Sequence, residues 1–423
     1  MEQPPAVADK VLCLLEKGVS IPNPATVTID DDVNLEFITA KGVTLFPGCR
    51  IAGESTVISA GCQLGREGPV VIEDCQLGPG VELKGGYFRK SVFLEKANMG
   101  LGAQIREGCI LEEEANGAHC VGLKQTILLP FVTLGSLINF CDCLMAGGTS
   151  RKDHSEVGSG YIHFNFTPEG DKTTASLIGD VPRGVMLNQP RIFLGGQGGI
   201  VGPVRLGYGN VIAAGTVLRH DVPEDNKLIY GKSHRPGSTD FVAGLYPGLT
   251  RLMENNIRYL ANLIALEEWY THIRQPFFAN QEFGIKVYEG ALDKLSLAKK
   301  ERKKRLKAMA DKMPSVVENN AIAQESAEQK SEFYENIDKL FEAFEDPVVT
   351  EIGLDQRYQF LEAVIAMRSE TDAGYIKVIQ SLSPDVTQAG TQWLQAIVDE
   401  LCGRAAELLP SLELFMVKID NLM

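Results

Sequence analysis

The sequence predicts a β-solenoid, a left-handed parallel β-helix of hexapeptide repeats, followed by an all-α domain. Three observations predict it. Aliphatic-glycine pairs recur through the N-terminal half, from Leu64-Gly65 and Leu77-Gly78 through Met99-Gly100 and Val157-Gly158 to Leu206-Gly207. Two runs keep a six-residue period without a slip: Met99, Ile105 and Leu111, then Ile200, Leu206, Ile212 and Leu218. Beyond Pro223-Glu224-Asp225 the composition changes, and from Tyr246 onward the pattern is helical. A period of six fits neither the 3.6 of a helix nor the alternation of a lone strand. It fits a coil in which each hexapeptide makes one flat face, its aliphatic residue points inward, and glycine turns the corner.

The elements follow in order. Residues 1–22 form a lead-in, with an amphipathic helix over 8–18 that sets Val11, Leu12, Leu14 and Leu15 on one side. Pro22 and Pro24 stop it, and Thr26-Val27-Thr28-Ile29-Asp30 opens the first strand. The solenoid domain spans 23–240 and ends in the linker Gly231 to Gly237. One segment, Gly147 to Lys172, breaks the beat with polar and aromatic residues, as a loop thrown off the prism does. The helical domain, 241–423, starts at Tyr246 and places further helices at 290–312, 325–345, 354–369, 372–382 and 388–408. The basic run Lys299 to Lys307 reads as a solvated helix face balancing the acidic stretch Glu332 to Glu345, or as a dock for an anionic ligand or acidic partner.

Composition narrows the function classes. A chain of 423 residues with net charge −14 is no general nucleic-acid or anionic-membrane binder. No apolar stretch reaches the roughly 20 residues that cross a bilayer, and the N-terminus lacks the pattern of a secretory signal. A cytoplasmic location is expected. The nine cysteines are scattered, and Cys141 and Cys143 stand too close for a usual zinc knuckle. They read as reduced packing residues, and no metal site is expected.

The segment Gly158-Ser-Gly-Tyr-Ile-His-Phe-Asn165-Phe166, with Lys172-Thr-Thr and Ile178-Gly-Asp180, carries a resemblance. So do Pro24-Ala25-Thr26-Val27, Ile29-Asp30 and Ile212-Ala213-Ala214-Gly215-Thr216. Over roughly residues 8–222 the chain resembles the acetyltransferase half of the bifunctional N-acetylglucosamine-1-phosphate uridyltransferase/glucosamine-1-phosphate acetyltransferase family. No segment resembles the uridyltransferase half. The cluster Gly195-Gly-Gln-Gly-Gly199 lacks the strand-then-helix context of a nucleotide loop and reads as coil corners. The helical domain has no counterpart in that family.

The resemblance implies a pocket for a sugar phosphate or nucleotide sugar such as UDP-N-acetylglucosamine. Arg106 and Lys124 fall at its phosphate-binding positions, and Asn139, Asn165 and Lys172 at substrate positions. An arginine suits phosphate because its planar fork gives two charge-assisted hydrogen bonds. Acetyl-CoA is the implied acyl donor, lying along the coils of Ala213 and Ala214. The departure comes at Ser136, where the family has its catalytic histidine; Asn139 stands where it has tyrosine. Serine does not accept a proton at its unperturbed pKa, whereas a histidine does. His154 and His163, with Glu156 between them and Asp153 before them, are the substitute bases. Two readings follow: a hexapeptide-class acyltransferase, or a non-catalytic sugar-phosphate binder or scaffold partnering a separate nucleotidyltransferase. A three-sided prism implies a homotrimer, with the helical half adding a contact or capping the prism's end.

Overall fold

The computed structural model describes residues 7–167, 169–231, 237–238, 245–319, 326–371 and 373–416. The linker expected at 231–237 lies almost wholly outside them.

Helix α1 (Asp9–Lys17) buries Val11 and Leu14 on the first coil, leaves Leu12 exposed, and ends at Gly18 with φ +103°. Its Lys10 and Lys17 ammonium groups donate to backbone carbonyls of Asp31, Val33, Leu35 and Ile38, which fixes the helix over the open end of the solenoid. An end covered in this way offers no free edge for pairing.

From Thr28–Ile29 to Leu228–Ile229 the strands are short and parallel, wound as three faces. The first face runs through Arg50–Ala52, Gly86–Arg89, Ala103–Ile105 and Ile162–Phe164 to Val217–Leu218. The second runs through Gln76–Leu77, Ser91–Phe93, Cys109–Leu111 and Ser176–Ile178 to Arg205–Leu206. These two join because Gly122–Leu128 and Asn139–Met145 pass unbroken from one to the other, bending at Gln125 and Asp142 with φ +50° and +58°. The third face is a ten-stranded parallel sheet, Thr44–Leu45 to Leu228–Ile229.

The six-residue beat is the inward column of these faces. Met99, Ile105 and Leu111 face inward from the third, first and second faces in turn, and all are fully buried. On the third face Leu45, Leu64, Leu83 and Met99 are successive register partners, followed by Gly117 and Leu134. A Cβ at Gly117 would lie 2.5 Å from the Met99 Cε, so the long methionine fills the space its neighbour leaves. Corners are equally tight. A Cβ at Gly195 would stand 2.4 Å from the Ala214 nitrogen, so the Gly195–Gly199 cluster is indeed coil corner and strand start.

A short helix α2 (Val181–Gly184), capped by Asp180, interrupts the later coils. The helical region comprises α3 (Leu249–Trp269), α4 (Gln275–Ala279), α5 (Gly284–Ala310), α6 (Met313–Asn319), α7 (Ala327–Glu345), α8 (Leu354–Glu370), α9 (Tyr375–Gln380) and α10 (Pro384–Leu408). It does not cap the prism's end. It lies along the second face, α5 against the strands at 76–77, 91–93 and 109–111, and α3 against Ser176–Ile178. The outward column of that face explains why. Val92, Ile110, Ile127, Leu144 and Leu177 are successive register partners, all apolar and all buried. A sheet apolar on both sides must be covered on both.

Polar groups lock this junction. Arg274 donates to both Glu113 oxygens, at 2.5 and 3.1 Å, and its guanidinium lies 3.7 Å from the Tyr375 ring centre. The Tyr270 hydroxyl donates to Glu112 at 2.6 Å. Arg302 donates to Asp142 and to the Lys172 carbonyl, both at 2.9 Å. The basic run at 299–307 is therefore split: Lys303 and Lys307 pair with Glu345 and Asp338 of α7, while Arg302 is buried in the junction. All nine cysteines are free thiols.

Candidate functional site

Strand alternation places two outward columns on the first face. One carries Tyr87, Gln104, Gly122, Asn139 and Ile162 in register. Two residues further along each strand stand Arg89, Arg106, Lys124, Cys141 and Phe164. Arg106 and Lys124 are thus neighbours on adjacent coils. The 165–175 loop leaves this face at its junction with the second and carries half-buried Asn165 and exposed Lys172.

All three cations act on Cys141. Burial, together with the Asp142 carboxylate, pushes the Cys141 thiol up, against the opposing pull of Arg106, Lys124 and Lys172. Lys124 also meets Glu107 at 2.6 Å. The Arg106 guanidinium and the Lys172 ammonium are exposed and have no side-chain partner among the described residues. The structure sets Arg106 and Lys124 side by side, with Asn139 on the adjoining column and Asn165 and Lys172 on the loop that leaves the same face.

The segment expected as a single break is two excursions from different edges. The first is a hairpin, Gly148–Ser150 against Asp153–His154, at the edge between the second and third faces. Arg151 staples it there through the Glu114 and Phe131 carbonyls and the Thr133 hydroxyl. His154 Nδ1 donates to the Arg151 carbonyl at 2.9 Å, which leaves Nε2 open, 3.9 Å from Glu156. Both line a cleft of about 550 Å³ with Asp153, Arg191, Phe193 and Asn226.

His163 lies elsewhere. It points inward from the first face between outward Ile162 and Phe164, is 2% exposed, and holds the Ser176 hydroxyl at 2.7 Å. Burial, aided by the Arg302 charge and opposed by the Cys141 backbone, lowers it to about 4. It is neutral at physiological pH. The structure therefore separates His154 from His163, and both from the open basic face.

One residue escaped the sequence reading. His119 Nδ1 lies 2.9 Å from the Ser136 Oγ, and the Ser136 N–H donates to the Ser159 Oγ at 3.2 Å. His119, Ser136 and Ser159 occupy the same corner on successive coils, at the edge between the third and first faces. The separation of 17 residues is one coil, so the spacing itself was the available signal. The column continues through Gly196 to Ala214, small residues throughout.

Comparison with known proteins finds relatives over about half of the chain. The chain is similar to bacterial GlmU. It is 30% identical over 214 residues to the bifunctional protein GlmU of Thermotoga maritima, covering 51% of this chain and 42% of the relative. The Thermotoga petrophila protein is 29% identical over 215 residues, with the same coverage. That of Lawsonia intracellularis is 28% identical over 134 residues, 32% of this chain and 25% of the relative. The chain spans less than half the length of these relatives. No protein-family model matches it. Among the described residues, no helix is long and apolar enough to cross a membrane.

Proposed function

We propose that this chain is a hexapeptide-class acyltransferase acting on a sugar phosphate or nucleotide sugar. The single observation that carries the reading is Arg106 beside Lys124 on adjacent coils of the first face, with exposed Lys172 on the loop leaving that face. Two guanidinium or ammonium groups on adjacent coils and a third from the loop suit a phosphoryl group. Asn139 and Asn165 would contact the sugar.

The donor would be acetyl-CoA, supplying an acetyl thioester. Ala213 and Ala214 fit its arm, because Ala214 and Gly215 are exposed and a Cβ at Gly215 would meet nothing within 4 Å. Proton transfer falls to His119 and Ser136. As the acceptor amine bonds to the acetyl carbon, its proton would pass to the Ser136 oxygen while the Ser136 proton passes to His119 Nδ1; the thioester C–S bond then breaks and the departing thiolate takes that proton back from His119, leaving as the free thiol. A hydroxyl alone is a poor base, but a hydroxyl already bonded to an imidazole relays to one. His154 with Glu156 is the competing base, on a different edge of the same chain, and would serve only a site completed by a neighbouring subunit.

Such a subunit is expected in a homotrimer. With the second face under helices, the exposed register partners Phe193, Val211 and Leu228 on the third face support contact between copies. Ser136 at the base position favours the alternative, a non-catalytic sugar-phosphate binder partnering a separate nucleotidyltransferase.

Thiol release from acetyl-CoA with glucosamine 1-phosphate separates these. Turnover that falls about 100-fold or more in both His119→Ala and Ser136→Ala, and survives His154→Ala, supports the relay. Loss only in His154→Ala moves the base to the hairpin. Sugar-phosphate binding without thiol release establishes the non-catalytic reading.

A further inference from the structure

The apolar column under the helices does not run to its end. Val92, Ile110, Ile127, Leu144 and Leu177 are followed, in register, by Arg205. Here the second face and the helices part to leave a cavity of about 210 Å³, whose lining includes Arg205, Arg183, Arg258, Asn262 and Gln395. The three arginines differ in their partners. Arg183 is neutralised twice, by Asp180 at 2.8 Å and by Asp225 at 2.7 Å. Arg205 has no side-chain partner among the described residues, and its Nε is buried and unbonded. Arg258 of α3 makes no ion pair there either; its guanidinium lies 4.5 Å from the Phe415 ring centre.

The carboxylates around the cavity are bonded to other groups, and Asp180, which also lines it, pairs with Arg183. Asp221 takes the Arg205 backbone N–H, the Asn255 amide and Arg251, and Glu254 takes the Phe415 backbone N–H. Two cations, Arg205 and Arg258, therefore share one small cavity without a direct ion pair among the described residues. Burial, and next the Arg258 charge, lower Arg205 from its ordinary range, against the weaker pull of Asp221 and Glu254. A guanidinium placed in this way is costly unless an anion completes it.

We propose that this cavity is a second anion site, independent of the basic first face, that takes the phosphoryl group of a small molecule between the Arg205 and Arg258 guanidinium groups. Two forks on different elements, one on the solenoid and one on α3, need an oxyanion whose acceptor oxygens point in several directions. A tetrahedral phosphoryl group offers three such oxygens, whereas a planar carboxylate offers two in one plane. Because the ligand would touch the last coils and the helical layer at once, binding would tighten the junction between them.

The probe is inorganic phosphate, titrated into the full chain at constant ionic strength while the melting temperature and amide hydrogen exchange are followed. Phosphate is expected to raise the melting temperature saturably and to slow exchange at 177–183, 205–207 and 258–262. Arg205→Met and Arg258→Met are each expected to weaken that response tenfold or more. Arg106→Ala, on the first face, is expected to leave the slowed exchange at 177–183, 205–207 and 258–262 unchanged, whatever it does to the melting temperature. Arg258→Lys keeps the charge but loses the fork, and serves if the methionine variants do not fold. The proposal is overturned if phosphate protects only the first face, if the Arg205 and Arg258 variants respond like the parent, or if malonate matches phosphate in the parent chain.

Discussion

Replacing Glu112 with glutamine should change how the stability of the solenoid–helix junction depends on pH. Glu112 and Glu113 are both buried, and the one guanidinium between them, Arg274, is committed to Glu113. Among the described residues, the Glu112 carboxyl has only the Tyr270 hydroxyl, at 2.6 Å. Burial, reinforced by Glu113 and opposed by Arg274 and that hydroxyl, pushes Glu112 up from 4.5 to about 7. The folded chain therefore holds a proton that the unfolded chain has released between those two values. Stability is present below pH 4.5 and is lost as pH rises through 7. The interval corresponds to roughly 3 kcal/mol. Glu112→Gln keeps the shape and a hydrogen-bonding group but cannot ionise. Its stability relative to the parent should rise by up to about 3 kcal/mol from pH 5 to pH 8, read as the difference in urea midpoint at each pH. If the difference is flat, or of opposite sign, the carboxylate is ionised in the folded chain and the reasoning fails.

His163 carries the opposite sign. Its folded value near 4 lies below the ordinary 6.5, so stability is full above pH 6.5 and is lost as pH falls toward 4, and His163→Gln should flatten that limb of the urea profile. Arg302→Met leaves the Asp142 carboxylate buried without its partner and should cost about 3–5 kcal/mol in urea, while adding Asp142→Asn should recover much of it. Equal stability of the single and double variants would remove the ion pair from the account. Gly195→Ala puts a Cβ 2.4 Å from the Ala214 nitrogen and 2.6 Å from the Ile212 carbonyl oxygen, where only backbone can move. A loss of about 1–3 kcal/mol is expected by thermal denaturation, and an unchanged midpoint would contradict the tight corner.

The solenoid was legible because its core is periodic: Ile200, Leu206, Ile212 and Leu218 are at most 2% exposed. The longer helices were legible for the same reason, with α10 at Pro384–Leu408 against the expected 388–408 and α5 at Gly284–Ala310 against 290–312. Short α4 and α6 were not, since five and seven residues carry too little period. The burial of Arg302 was hidden because a lysine-rich run looks solvated until a carboxylate from another domain, Asp142, is known to face it. At the site, nearness in sequence does not carry over to nearness in space. His154 and His163 are nine positions apart, yet a corner and a change of side separate them. The parity of the strand already held part of the answer: outward Ile162 and Phe164 make His163 inward. His119 needed the coil length, because its partner lies on the next turn.

The central claim is that the first face grips a phosphorylated sugar. Calorimetric titration of glucosamine 1-phosphate into the parent chain, Arg106→Met and Lys124→Met tests it most directly. Each charge-assisted bond lost should weaken binding by about 1.5–3 kcal/mol, tenfold or more, without altering the fold. Binding that is equally tight in all three proteins would contradict the account.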